Sequence, residues 1–552
     1  MEYKILAPVI IFGLLINGCG GSDKQSTTPS LESTTTPAPT PTPETSSFYF
    51  GNDLSYTNEM EDCGAVYRQN DEVVDPFTLM SSHGTNLVRV RHWNDPGSWM
   101  SMIPQEAEIA ANRQPAYSDL ADVTKTISRA KAAGMDVLLG IHYSDIWADP
   151  ARQVLPRAWE NIYTDENAMA AAVYDYTIDV LTSLNDQGLL PEIIKIGNES
   201  NAGMMNTQNL LVELNNAMTG LDLSSDGLTN FSDQFQGRMY NAGISAVRDF
   251  SDGMDNPPLI ALHVAGIESA LWFYQKMMDI GVTDFDIAGF SFYYGWEPMP
   301  LEDLELVITA MKLQFPEYSP MLVETGYLWD EENGDSLSNL INASDPDYQP
   351  VSKQNQLKYM VDLSQTVADA GGIGVIFWEP TWVSTGCRTP WGQGSSQEHV
   401  AYFDYRDNFN FHIGGQWMGV EQLSHIPTKG LDTTFTLDMT DQDTSKGVFI
   451  SGNFTEDTIQ PMFDKGDSLY SYSTKVPIAE IGNYHFLLAL DGNIRETVPV
   501  DCADPADIDS RPYIIGTTGA QNFAYSWGRC SFDFVKETLT ELIVNVEMSN
   551  AS

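Results

Sequence analysis

Eight short apolar runs recur between Phe48 and about Gly415, and the gaps between them are long enough to hold helices: Phe48–Asn52, Leu87–Arg91, Val137–Ile141, Ile193–Ile196, Leu259–Val264, Ile287–Phe292, Met321–Glu324 and Gly374–Trp378. Short apolar runs bounded by loops read as strands buried on both faces, as in parallel sheets. Helical patterning fills the gaps at Leu120–Ala133, Ala168–Gln187 and Gln354–Ala370. This alternation predicts the α/β class and a closed (β/α)8 TIM barrel. An open doubly wound sheet would usually carry a Gly-rich phosphate loop after its first strand, and Gly51-Asn52-Asp53-Leu54 does not supply one.

Polar and aromatic residues gather where these strands should end. Arg89 and Arg91 close the second, His142-Tyr143-Ser144-Asp145 follows the third, and Asn198-Glu199 the fourth. His263 lies in the fifth, Tyr293-Tyr294 follows the sixth, Glu324 ends the seventh and Trp378-Glu379 the eighth. A barrel collects all of these on its C-terminal face, where barrel enzymes place their chemistry.

A single carboxylate at a strand end could be a structural ion-pair partner. Two of them, Glu199 on the fourth strand and Glu324 on the seventh, face each other across the barrel mouth. Such a pair is what glycosidic cleavage requires: one group protonates the leaving oxygen, and the other attacks or stabilises the oxocarbenium-like carbon. We assign Glu199 as acid/base and Glu324 as nucleophile, with an expected carboxyl separation of about 5–5.5 Å. Asn198 can offer its amide to the sugar hydroxyl beside the reacting carbon. Arg89 or Arg91, both inward-facing by strand alternation, can keep Glu324 ionised. Tyr293 can donate its hydroxyl to the nucleophile. His142, Asp145 and His263 complete the polar lining, and no HExxH or similar spacing marks the histidines as metal ligands. Trp147, Trp296, Trp378 and Trp382 are candidate stacking platforms for neighbouring sugars.

The net charge of −48 leaves no basic patch for nucleic acid or an anionic membrane and disfavours polyanionic substrates, so a neutral glycan is the expected partner of a monomer. Membrane contact is expected only through the N-terminus. Lys4, the apolar run Ile5–Ile16 and Gly18-Cys19 have the layout of a lipoprotein signal (residues 1–18) with Cys19 as the lipidated residue, too short an apolar run to span a bilayer. An exported protein on the outer membrane or cell surface of a bacterium is therefore expected. Residues 19–46, rich in Ser, Thr and Pro, cannot bury enough apolar surface to offset ordering and read as a disordered tether.

The length that remains exceeds what one core usually supports. We place a catalytic domain at 47–417 and a second, all-β sandwich domain at 418–552 with strands near Thr434–Leu437, Gly447–Ile450, Leu469–Ser473 and Tyr484–Leu490. Cys502 and Cys530 are the expected disulfide pair within this small domain, and Tyr525 and Trp527 are its candidate sugar-binding aromatics.

At the level of motifs the chain resembles the endo-β-1,4-galactanases of glycoside hydrolase family 53. The resemblance rests on Gly51-Asn-Asp-Leu-Ser55 with Glu59-Met-Glu61, Val88-Arg-Val-Arg91 with Trp93-Asn-Asp-Pro96, and His142-Tyr-Ser-Asp145 through Trp147-Ala-Asp-Pro150. It continues through Pro156-Arg-Ala-Trp159, Gly197-Asn-Glu199 with Asn201-Ala-Gly203, Phe290-Ser-Phe-Tyr-Tyr294, Val323-Glu-Thr325 and Gly374-Val-Ile-Phe-Trp-Glu-Pro380. It implies retaining endo-attack on β-1,4-linked galactan or type I arabinogalactan side chains of pectin, with no organic cofactor, and it maps the acid/base onto Glu199 and the nucleophile onto Glu324. His92 and Ser200 depart from the usual pattern. Some bacterial relatives hold calcium in the loop after the seventh strand, where Asp330, Asn333 and Asp335 offer hard oxygen ligands. The alternatives are another neutral β-linked hexan as substrate, or a glycan-capturing lipoprotein without catalysis; the paired glutamates argue for the enzyme, since a binder needs no matched carboxylates.

Overall fold

The computed structural model describes residues 48–97, 117–206, 231–386, 388–389, 391–418, 430–477, 480–490, 492–516 and 519–532. The signal at 1–18, Cys19 and the tether at 19–46 lie outside them. Ser47–Ser552 form one compact unit.

Eight parallel strands close into a barrel in which each pairs with its sequence neighbour and the last returns to the first. They are β1 (Tyr49–Asp53), β2 (Leu87–His92), β3 (Asp136–Ile141), β4 (Ile193–Ile196), β5 (Leu259–Val264), β6 (Ile287–Ser291), β7 (Ser319–Thr325) and β8 (Gly374–Phe377). Among the described helices are α1 (Thr57–Asp62), α2 (Pro76–Ser82), α3 (Leu120–Ala132), α4 (Glu166–Asn185), α5 (Asp233–Phe250), α6 (Ala270–Asp279), α7 (Leu301–Gln314) and α8 (Lys353–Asp369). Their starts are fixed locally. Asp119, Asp165, Ser232 and Ser352 each accept a backbone N–H of the first turn of α3, α4, α5 and α8, which satisfies donors that would otherwise be orphaned.

Alternation along the strands sorts residues into two cores. Val88, Val90, Val137, Leu139, Ile194, Ile196, Ile260 and Leu262 face the helices. Leu87, Leu138, Ile193, Ala261, Ile287, Met321, Val323 and Ile376 plug the barrel lumen. Two residues further along, the lumen turns polar, with Arg89, Lys195 and His263 all buried. This change of layer forms the floor of the site.

One strand breaks its own alternation. Phe290 pairs with Leu322 but Ser291 pairs with Glu324, so the register shifts at Val323. The extra residue lets Val323 remain in the lumen and still turns Glu324 inward, which strict alternation would forbid.

After the barrel come two four-stranded sheets. One contains β9 (Leu431–Asp438), β12 (Phe463–Asp464), β13 (Leu469–Val476) and β16 (Gln521–Ser526), and the other β10 (Phe449–Gly452), β11 (Gln460–Pro461), β14 (Ile481–Leu487) and β15 (Arg511–Ile514). Phe435, Ile450, Phe454, Tyr472, Tyr484, Phe486 and Tyr513 lie in the core that they share. Cys502 and Cys530 are disulfide-bonded, as their place in one small domain predicts. Tyr525 and Trp527 pack onto this core, and the Arg511 guanidinium lies 4.1 Å from the Tyr525 ring centroid, so that face of Tyr525 is already covered.

The sandwich is tied to the barrel through α8. Gln354 donates Nε2 to the carbonyls of Val448 (2.9 Å) and Met462 (2.8 Å) and accepts the Val448 N–H (3.2 Å). Asn355 pairs in the same way with both backbone groups of Asp464 at 2.8 Å. These buried amides satisfy strand groups at the edges of β10, β11 and β12, and leaving one such group unpaired costs about 1–3 kcal/mol.

Candidate active site

Glu324 is held from two sides. Arg89 Nη1 lies 2.5 Å from Oε2, and the Tyr293 hydroxyl donates to Oε1 at 3.0 Å. Burial pushes the Tyr293 phenol well above its ordinary range, so it keeps the proton it donates. Of the two arginines on β2, Arg89 is therefore the one that faces the nucleophile candidate. Its Nε also reaches Asp53 at 3.3 Å, and Nη2 donates to Asn198 Oδ1 at 2.9 Å.

Glu199 sits differently. Its backbone adopts φ +44°, in the left-handed region, directly after Gly197 at φ +78° and Asn198. A non-glycine residue there carries strain of about 1–3 kcal/mol, which the Gln153 side chain helps to hold by donating Nε2 to the carbonyls of Asn198 (2.8 Å) and Glu199 (3.2 Å). Ser291 donates Oγ to Glu199 Oε1 at 2.5 Å. Burial, and after it the Glu324 charge, push the Glu199 carboxyl well above the usual carboxylate range, while the Ser291 bond pulls it down. The pair is thus built asymmetrically, with an ion pair on Glu324 and a neutral-favouring pocket around Glu199, the arrangement that separates acid from nucleophile. Glu199 and Glu324 are both buried, at 8% and 7% exposed.

Asn198 receives Arg89 and Lys195 on its Oδ1 and donates Nδ2 to the Ala148 carbonyl at 2.7 Å. The Arg89 guanidinium is a pure donor, so it fixes the amide orientation and leaves the second N–H for a ligand.

The remaining predicted residues take different places around the pair. Arg91 pairs with Glu379 and lies between the rings of Tyr56 (4.2 Å) and Trp147 (4.4 Å), so it braces the cleft wall. Asp145 accepts the backbone N–H groups of Asp95 (3.0 Å) and Arg157 (2.9 Å) and so organises loops. Trp382 is 0% exposed and stacks 4.3 Å from Tyr56, so it packs beneath the cleft and presents no face to a sugar. His263 is likewise 0% exposed and acts from below. His142 accepts from Trp93 Nε1 at 3.2 Å on Nδ1, and its buried Nε2 has no hydrogen-bond partner among the described residues. Trp147 and Trp378 are largely buried in an edge-on cluster, while Trp296, 4.6 Å from Tyr293, is 54% exposed and offers an open ring.

Sequence reasoning missed Lys195, Ser291 and Gln153 as site residues, and it placed Glu379 at the end of the eighth strand without giving it a partner. For Lys195 a signal existed: a lysine inside the apolar run Ile193-Ile194-Lys195-Ile196 must find partners if the strand is buried.

Ligand atoms of Glu199, His263 and Glu324 all lie within 4.8 Å of one another, close enough by distance to hold a metal ion. Arg89, paired with Glu324, already brings positive charge to that spot and would repel a cation there. In the loop after β7, Asp330 pairs with Arg406 at 2.5 Å and with Tyr405 at 2.7 Å. Asp335 accepts from Leu337, Ser384 and Ser395, and the Asn333 side chain bonds Leu337 and Asp335.

A polar-floored barrel with two facing, electrostatically distinct carboxyls and aromatic walls defines a glycoside hydrolase site. The sequence pattern of Glycosyl hydrolase family 53 matches residues 49–412, and the chain belongs to that family. It is 42% identical to the arabinogalactan endo-beta-1,4-galactanase of Cellvibrio japonicus over 65% of this chain and 86% of that protein. It is 29% identical to the endo-beta-1,4-galactanase of Bacillus subtilis over 67% and 80%. The solved GH53 catalytic domain of Ignisphaera aggregans aligns with a TM-score of 0.55 and 26% identity, covering 68% of this chain and 96% of the domain.

The asymmetry has a pH signature. If Glu199 must be protonated to act, kcat/KM falls on the alkaline side as it ionises. Ser291→Ala removes a bond that favours the carboxylate, so the alkaline limb should move to higher pH; a limb that stays put or moves down would count against this role.

Proposed function

We propose that this protein is a retaining endo-β-1,4-galactanase acting on galactan or type I arabinogalactan. The observation that carries the reading is the unequal treatment of two carboxyls whose oxygens lie within 4.8 Å, with Arg89 and Tyr293 on Glu324 and a raised pKa at Glu199. So short a gap favours direct attack over a water held between the groups. In the first step Glu324 attacks the anomeric carbon, the glycosidic bond breaks, and Glu199 gives its proton to the leaving oxygen. In the second, Glu199 takes a proton from water, and the resulting hydroxide displaces Glu324. Membership of the family and the two named relatives support galactan as the substrate, and the acidic composition supports a neutral polymer acted on by a monomer.

Incubation with a panel of neutral polysaccharides should release short galacto-oligosaccharides from galactan; release only from mannan or glucan would change the substrate, and no release would favour a binding protein. With an activated aryl galactoside and azide, Glu324→Ala should give the inverted glycosyl azide and Glu199→Ala the retained one. Exchanged stereochemistry would reverse the two roles.

We also propose a structural calcium in the loop after β7, held by Asp335, Asn333 and Glu398, with Asp330 joining them by exchanging its Arg406 partner for the ion. Its support is the buried Glu398 Oε2, which has no hydrogen-bond partner; burial, with Asp335 and Asp330 adding to it, pushes that carboxyl to about 7. When bound, calcium supplies charge neutralisation and cross-links the loop. Chelation should lower the Tm and added calcium restore it; a Tm indifferent to both would remove the ion from the account.

Export and lipidation at Cys19 remain part of the proposal, resting on Lys4, Ile5–Ile16 and Gly18-Cys19. Cys19→Ser should shift the protein from the membrane fraction to the soluble one, and an unchanged distribution would refute the anchor.

A further inference from the structure

Lys195 has no role in the two steps above, yet it occupies the centre of the floor. Its side chain is 0% exposed, so it cannot touch a sugar. Room for it is made on the neighbouring strand: a Cβ at Gly140 would lie 2.9 Å from Lys195 Cε. From Nζ a continuous chain of contacts runs to the acid. Lys195 Nζ lies 2.9 Å from His263 Nδ1, His263 Nε2 lies 2.8 Å from Ser291 Oγ, and Ser291 Oγ lies 2.5 Å from Glu199 Oε1.

Such a chain can run in two directions. His263 Nδ1 also lies 3.1 Å from Asn198 Oδ1. A ring protonated on Nδ1 could therefore donate to Asn198, leave Nε2 to accept from Ser291, and turn Ser291 into an acceptor for a proton on Glu199 Oε1. In that direction the acid points its proton into the protein. With an ammonium at Lys195 the choice is removed: an ammonium only donates, so Nδ1 accepts, the ring proton sits on Nε2, Ser291 accepts it, and the serine's own proton goes to Glu199 Oε1.

We propose that Lys195 is a positioning residue that fixes the direction of the Lys195–His263–Ser291–Glu199 chain and so places the acid's proton on Oε2, the oxygen that Ser291 does not occupy.

Charge supports the ammonium. Asp53 and Glu324 contribute two negative charges beside Arg89. With Glu199 protonated, one further cation makes the buried set neutral, which a low-dielectric interior favours. Burial and then Arg89 push Lys195 well below the usual lysine range, with Glu324, Glu199 and Asp53 pulling the other way; it is the neutrality of the buried set that favours keeping the proton. His142 and His263 stay neutral, since burial and then Lys195 push both well below the usual range. The balance also survives the first step: Glu199 loses its proton to the leaving oxygen as Glu324 becomes an uncharged ester, so the negative charge moves from one carboxyl to the other and the sum is unchanged.

The inference rests on the reading of Glu199 as the acid, and the test separates the two. Wild type, Glu199→Ala, Lys195→Met, Lys195→Gln and Ser291→Ala are compared on galactan, which needs protonation of its leaving group, and on a dinitrophenyl β-galactobioside, which does not. Lys195→Met should lose about 100-fold or more in kcat on galactan and less than about 10-fold on the aryl substrate. Lys195→Gln, which retains a donor for His263, should recover at least about 10-fold on galactan. The double variant Lys195→Met/Ser291→Ala should be no worse than Ser291→Ala, because both break one chain. Equal losses on the two substrates, or no recovery in Lys195→Gln, would overturn the proposal. Should Lys195→Met fail to fold, Ser291→Ala must show the galactan-selective loss, and its absence overturns the proposal as well. Glu199→Ala retaining full galactan turnover would instead overturn the reading of the acid itself.

Discussion

The guanidinium of Arg89 joins three strands that are distant in sequence. It contacts Asp53 at the end of β1, Asn198 just beyond β4 and Glu324 on β7, at a level of the barrel where apolar packing has stopped. Inside a low-dielectric lumen each of these groups would be costly alone, and removing one partner of a buried pair typically costs about 3–5 kcal/mol. The polar floor therefore stands or falls as a set. Its members hold one another's orientation, which is what a site needs if its groups are to be in place before the substrate arrives.

This set also explains why the two glutamates differ although both leave apolar strands at the barrel rim. Glu324 faces Arg89 and a tyrosine hydroxyl, whereas Glu199 faces a neutral serine backed by a neutral histidine. The difference comes from which lumen residues each strand end happens to meet, so it belongs to the closed barrel and to no local stretch of chain.

For the same reason the fold was more legible in the sequence than the floor of the site. Ile193–Ile196 and Leu259–Val264 are strands with the same bounds as the apolar runs, because burial on both faces demands continuous apolar residues. The sandwich strands Arg511–Ile514 and Gln521–Ser526 escaped notice: Gln521–Ser526 is polar and half-buried, and Arg511–Ile514 contains Pro512. Glu199 and Glu324 could be found from their place after apolar runs. The means by which Glu324 turns inward could not, since a register shift at Val323 is a property of pairing with β6. Trp382 misled in the other direction. An aromatic in a loop on the correct face looks like a sugar platform until its stacking on Tyr56 closes it from solvent. Lys195 was readable only as a buried charge in search of partners, and those partners come from β5 and from the turn after β4.

The left-handed backbone at Glu199 carries an evolutionary consequence. Glycine or asparagine would sit at φ +44° with less strain than glutamate does, and either would also remove a carboxyl that is buried beside Glu324. A requirement for turnover would hold the residue there against both gradients. Were that requirement relaxed, the first substitutions to accumulate at position 199 would tend to make the barrel more robust while abolishing chemistry and leaving the cleft intact. Descent from hydrolase to a stable glycan-capturing protein is thus an energetically downhill path in this architecture, and the reverse path is uphill.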